Sequence, residues 1–151
     1  MGEIYVYRMG RHVKTDKVFE AWNSGDLNNM LKAVSIKTNP VDRHFLLQTI
    51  VEITYKGRKE PKMRRICREI AEKHILEFAA LAPALKQDMG GDLPRVSTFQ
   101  HFATLLTEDG DYEYAIKVCN TAINYGLHDG TQSGFEGRIE KIKRKGASQK
   151  L

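Results

Sequence analysis

The stretch that most constrains this chain is 96–127, VSTFQHFATLLTEDGDYEYAIKVCNTAINYGL. Its first half places apolar groups at Phe99, Phe102, Ala103, Leu105 and Leu106. Its second half places them at Tyr112, Ala115, Ile116, Val118, Cys119, Ala122 and Ile123. Both sets recur at three and four residues, the period that lines one face of an α-helix. Between them lies Thr107-Glu108-Asp109-Gly110-Asp111. Gly110 can take a positive φ without steric cost, and Asp111 can cap the following helix. The spacing predicts two helices joined by a tight turn, with the small Ala115 and Ala122 where they approach most closely.

Comparable units precede it. Thr15 or Asp16 can cap a helix carrying Val18, Phe19 and Trp22, and Ser24-Gly25-Asp26-Leu27 repeats the Gly-Asp-apolar turn. Leu27, Met30, Leu31 and Val34 then form the stripe of a partner helix, which Asn39-Pro40 ends. A second pair is expected over about 41–81. Phe45, Leu46, Leu47, Ile50, Val51, Ile53 and Tyr55 cover most of the circumference of its first helix, as a central, doubly covered helix requires. Gly57 to Glu60 break that helix, and Pro61 suits the first turn of the next. Its stripe is Met63, Ile66, Cys67, Ile70, Ala71, His74, Ile75 and Phe78.

Residues 80–95 hold Pro83, Gly90, Gly91 and Pro94 and read as an insertion. After a turn at His128-Asp129-Gly130-Thr131, a last helix carries Phe135, Ile139 and Ile142 over a charged outer face, the pattern of an end cap. Ile4-Tyr5-Val6-Tyr7 alternates like a short strand, but no second strand is evident to pair with it. Residues 1–12 are therefore expected to form an N-terminal arm, 13–145 a single domain, and 146–151 a frayed tail.

The 96–127 pattern resembles the tetratricopeptide repeat. That family writes W-x2-L-G-x2-Y, a Gly-Asp-Tyr-like turn, then A-x3-F and a closing Pro. Here the slots read Phe99-x2-Phe102-Ala103-x2-Leu106, Gly110-Asp111-Tyr112, then Ala115-x3-Cys119 and Ala122. The departures are Ala103 for Gly, Leu106 for Tyr, Cys119 for Phe and Leu127 near the expected Pro. Gly25 and Gly57 lie 32 residues apart, close to the family period of about 34. The resemblance implies an all-α fold of about seven helices. Antiparallel helix pairs would stack as a short right-handed superhelix with a C-terminal capping helix. It also implies a non-catalytic protein–protein interaction module in which the first helix of each repeat lines a groove for a peptide or helix. Ser97, Gln100, Thr104 and Thr107 fall on the face opposite Phe99, Phe102 and Leu106 and are the expected partner contacts.

Charge gives the second reading. The net charge is +5, and 58–68, RKEPKMRRICR, holds six of the 24 basic side chains. Residues 138–145, RIEKIKRK, hold five more. Arg58, Lys59, Lys62 and Arg65 could track an anion at the start of a helix, so a nucleic-acid-associated accessory protein is the alternative. Few aromatics share that face to stack on bases.

No enzyme, metal or cofactor signature stands out. Cys67 and His74 are seven apart, roughly 10 Å along a helix axis, too far for a nucleophile–base pair. His12, His44, His101 and His128 are scattered, with no helical metal spacing. Gly90-Gly91-Asp92 lacks the Gly-Lys-Ser/Thr of a phosphate loop. No apolar run approaches the roughly 20 residues that cross a bilayer. Two cysteines outside any C-x-x-C suit a reducing compartment, so a cytoplasmic location is expected, with homo-oligomerisation left open.

Overall fold

The computed structural model describes residues 3–149. Among them are seven helices and one two-stranded sheet, in the order β1 Tyr5–Arg8, β2 Arg11–Lys14, α1 Lys17–Asn23, α2 Leu27–Ala33, α3 Pro40–Lys56, α4 Pro61–Asp88, α5 Ser97–Glu108, α6 Tyr112–Asn124 and α7 Gly134–Gln149. The all-α expectation holds at that level, with a small antiparallel hairpin added. The chain divides into two compact units, Met1–Pro94 and Arg95–Leu151.

The first unit is built on the α3–α4 hairpin, with α1 and α2 packed against α3. Its core includes Val18, Met30, Val41, Leu46, Leu47, Ile50, Val51, Cys67, Ala71, Phe78 and Leu85, all buried. Asp16 caps α1 by accepting from the Phe19 N–H at 2.9 Å, and Asp26 caps α2 through Asn28 and Asn29. Arg43 ties three helices together. It holds Glu77 of α4 by two bonds, Nε–Oε1 at 2.9 Å and Nη2–Oε2 at 3.0 Å, and its Nη1 donates to the Val34 carbonyl at the end of α2.

Three expectations change here. The arm expected over 1–12 holds β1, the turn and the start of β2 of a hairpin, because Arg11–Lys14 pairs with Tyr5–Arg8 in the register Tyr5↔Lys14, Val6↔Val13, Tyr7↔His12 and Arg8↔Arg11. Only Val13 of the second strand is aliphatic, so alternation could not reveal it. Its two-residue turn puts Met9 at φ 56° and Gly10 at φ 77°, the mirror-image turn that matches strand twist. Second, the helix expected to stop near 81 runs through Pro83 to Asp88. Pro83 leaves the carbonyl of residue 79 without its helical donor, but Ala79 is exposed and water can serve it. Leu81, Ala82 and Leu85 meanwhile continue the buried stripe. Third, residues 146–149 of the expected frayed tail belong to α7, while 1–2 and 150–151 lie outside the described residues.

In the second unit α6 packs against both α5 and α7. Phe99, Phe102, Leu105, Leu106, Ala115, Cys119, Ala122, Phe135 and Ile142 make its core. Gly110 has φ 79°, as the turn requires, and the Asp111 N–H donates to the Leu106 carbonyl at 2.8 Å. Asp111 occupies the N-cap position without a side-chain cap bond, so the turn rests on Gly110 and backbone bonding. Gly146 is buried against the Tyr112 ring, where an added Cβ would stand 3.3 Å from ring carbons, and this close approach seats the last turns of α7.

Candidate functional site

The expected partner contacts divide. Ser97 is buried, and Gln100 is half-buried with Oε1 lacking a hydrogen-bond partner. Thr104 and Thr107 line a cleft of ≈ 210 Å³ between α5 and α7, facing Arg138, Lys141 and Lys145. Each threonine hydroxyl donates back to its own helix, Thr104 to the Gln100 carbonyl at 3.0 Å and Thr107 to Ala103 at 2.7 Å. Their lone pairs are therefore directed away from the helix. Thr104 Oγ1 accepts from Arg138 Nη1 at 3.1 Å.

Arg138 is held in place from behind. Its Nη2 and Nε reach the buried Asp129 carboxylate at 3.1 and 3.2 Å, and Thr131 donates to the same carboxylate through its N–H and hydroxyl. Burial alone would raise the Asp129 carboxyl, but the Thr131 and Arg138 bonds outweigh it and hold it below the usual range. Lys141 and Lys145 are exposed at the cleft, one helical turn apart, and Glu108 is the acid in its lining. The structure thus gathers two of the groove residues and three cations of the 138–145 segment into one concavity. A larger cleft of ≈ 510 Å³ lies on the other side of α7, lined by Tyr112, Glu113, Ile116, Ile142, Lys143 and Gly146 among others. Asp111 and Glu113 against Lys143 give that one a net acidic lining.

The 58–65 residues are only partly available. Arg58 lies over the Tyr55 ring at 3.9 Å and donates to the Tyr55 carbonyl at 3.0 Å, closing the end of α3. Lys59, Lys62 and Arg65 are exposed at the start of α4.

No family model, curated protein or solved structure matches this chain. Its chemistry must therefore be taken from its own side chains. Both cysteines are free and buried. Burial pushes the Cys119 thiol up to about 11 and raises Cys67 as well, the reverse of an activated nucleophile. Cys67 contacts the Val51 carbonyl at 3.9 Å rather than His74. Among the described residues no group of three or more His, Cys, Asp or Glu could hold a metal ion, and no helix is long and apolar enough to cross a membrane.

One pair escaped the sequence reading. His44 Nδ1 and His74 Nε2 meet at 2.9 Å between α3 and α4, and both rings are fully buried. Phe78 lies 6.2 and 6.1 Å from the two rings, and His44 Nε2 has no hydrogen-bond partner. The signal was present: the two histidines are equidistant from residue 59, inside the turn of an antiparallel hairpin. Symmetric positions about such a turn face each other.

Proposed function

We propose that this chain is a non-catalytic interaction module of the tetratricopeptide-repeat type that binds an acidic segment of a partner protein. Its helix pairs are read as a short right-handed array ending in α7 as cap. The observation that carries the reading is the α5–α7 cleft, where two threonine hydroxyls face Arg138, Lys141 and Lys145. Arg138 is already fixed by Asp129 and Thr104, so a carboxylate would meet an ordered guanidinium rather than a mobile one. The free, buried thiols suit a reducing compartment, and a cytoplasmic setting is part of this reading.

The test is a panel of acidic amphipathic peptides titrated by fluorescence anisotropy. Lys141→Glu with Lys145→Glu should abolish binding, and Thr104→Glu with Thr107→Glu should do the same. Replacement of Arg58, Lys59, Lys62 and Arg65 by Gln should leave it intact. The second reading, a nucleic-acid-associated protein, draws on the exposure of Lys59, Lys62 and Arg65. It expects the four-Gln variant to lose duplex DNA binding, with the salt slope falling by about 0.9 for each phosphate contact removed.

A further inference from the structure

Helix α4 carries a second pattern besides the stripe that packs on α3. Glu69, Lys73, Leu76, Ala80, Pro83 and Gln87 are alternately four and three residues apart, and all six are exposed. That spacing keeps side chains on one line of a helix, the geometry of a seam between two helices. Ile70, Ala71, His74, Phe78 and Leu81 are buried on the opposite side. Leu76 stands near the middle of the seam and is 77% exposed, more than any other large apolar side chain among the described residues. With Ala80 and Pro83 after it, the seam is apolar at its centre and lies in water, the mark of a contact surface.

Charge decides what lies on it. One flank of the seam reads Glu72, Ala79, Lys86, each seven residues from the next and so on the same side of the helix. Turned end for end, that flank reads Lys86, Ala79, Glu72. A second copy laid antiparallel, with Ala79 beside Ala79, therefore sets Glu72 of each chain against Lys86 of the other. The same register brings Leu76 of one copy over Ala80 and Pro83 of the other, a large apolar group against two low ones. The other flank holds Glu77, which this pairing brings near its own copy. Its charge is already met, since Arg43 binds the carboxylate by two bonds and Lys73 Nζ lies at 3.6 Å. Ala79 stands at the rim of the contact, so its carbonyl, left without a helical donor by Pro83, keeps its access to water.

We infer that α4 pairs with α4 of a second copy in an antiparallel two-fold dimer, closed over Leu76 and set in register by Glu72 and Lys86. A foreign helix needs only the apolar seam; acid and base at equal distances from one residue serve a chain that meets itself. A two-fold contact uses the same patch on both chains, so association stops at two copies. The seam lies in the first unit, and the inference does not rest on the reading given to the α5–α7 cleft.

The experiment follows the full chain by sedimentation equilibrium over a roughly hundredfold range of concentration, wide enough to bracket one dissociation constant. The mass should rise from 17.2 kDa toward twice that value. Leu76→Asp should hold it at one copy and leave far-ultraviolet dichroism unchanged, because the side chain already stands in water. Glu72→Lys and Lys86→Glu should each weaken association about tenfold, since either change sets two like-charged pairs across the seam. Mixed in equal amounts, the two variants should associate as tightly as the native chain, because both pairs across the two-fold are then opposite in sign. This mixture tests the register even where Leu76→Asp fails to fold. Three results would each overturn the inference: a native chain that stays single at every concentration, a dimer that persists in folded Leu76→Asp, or a mixture that associates no better than its components.

Discussion

Two imidazoles in hydrogen-bond contact inside an apolar hairpin cannot both be cations, and here neither is. Burial lowers His44 to about 4, and burial, then His44 and Arg43, hold His74 well below 6.5. Arg43 on α3 adds its positive charge against a proton on His74, and Glu77 of α4 is taken up by Arg43. An unfolded histidine titrates near 6.5. Between that value and the folded ones the unfolded chain binds more protons. Stability contributed by the neutral pair is therefore complete above about pH 6.5 and is lost as pH falls toward 4, by roughly 1.4 kcal/mol per pH unit for each histidine. The urea midpoint followed by Trp22 fluorescence should drop between pH 7 and pH 5, and the double variant His44→Leu, His74→Leu should flatten that dependence. Glu77, held low by its bond to Arg43, keeps its contribution above its ordinary value near 4.5 and loses it only below, outside the interval from pH 7 to pH 5. At Gly110 the issue is backbone alone: φ is 79° and nothing lies within 4 Å of an added Cβ. Gly110→Val should cost more than about 1 kcal/mol through left-handed strain at a β-branched residue, read as a lowered melting temperature without a change in helix content.

For whole elements, the informative contrasts lie along α6 and α7. Ala115 is buried and Glu113 exposed on the same helix. Ala115→Leu should destabilise by roughly 1–3 kcal/mol through overpacking, while Glu113→Leu should stay within about 0.5 kcal/mol of native. Equal shifts in a urea titration would place the wrong face of α6 inward. Gly146→Leu asks the same of the end of α7. A side chain there meets the Tyr112 ring, so a loss of roughly 1–3 kcal/mol is expected, whereas the frayed tail expected from sequence would give no loss. Helices α1, α2, α5 and α6 were legible because each sits beside a Gly-Asp turn and carries its own period. The length of α4 was not, since proline is a weak stop when the carbonyl it strands faces water. Strand β2 was hidden more deeply. One aliphatic residue carries no alternation, and the hairpin is held by Arg8 and Asp42, 34 residues apart.

At the scale of the molecule, the net charge of +5 is distributed rather than concentrated. Its basic clusters lie at the start of α4 and along α7, and only structure tells their settings apart. Arg58 lies on a ring, Arg138 is fixed by Asp129, and Lys141 and Lys145 stand open at the cleft. The sequence named Thr104, Thr107 and the 138–145 segment under two different readings. It could not join them, because the juxtaposition depends on α7 folding back to put Arg138 between Asp129 and Thr104. The same limit applies to Asp42. Its Oδ1 accepts from Arg8 Nη2 and Trp22 Nε1, and its Oδ2 from Arg8 Nε and Asn39 Nδ2. One carboxylate thus joins β1, α1 and the cap of α3. A saturation screen scored on chain abundance should return Asp42 beside Leu46 and Phe78 among its most sensitive positions, although it contributes no apolar surface, while the mostly exposed Tyr7 should tolerate change.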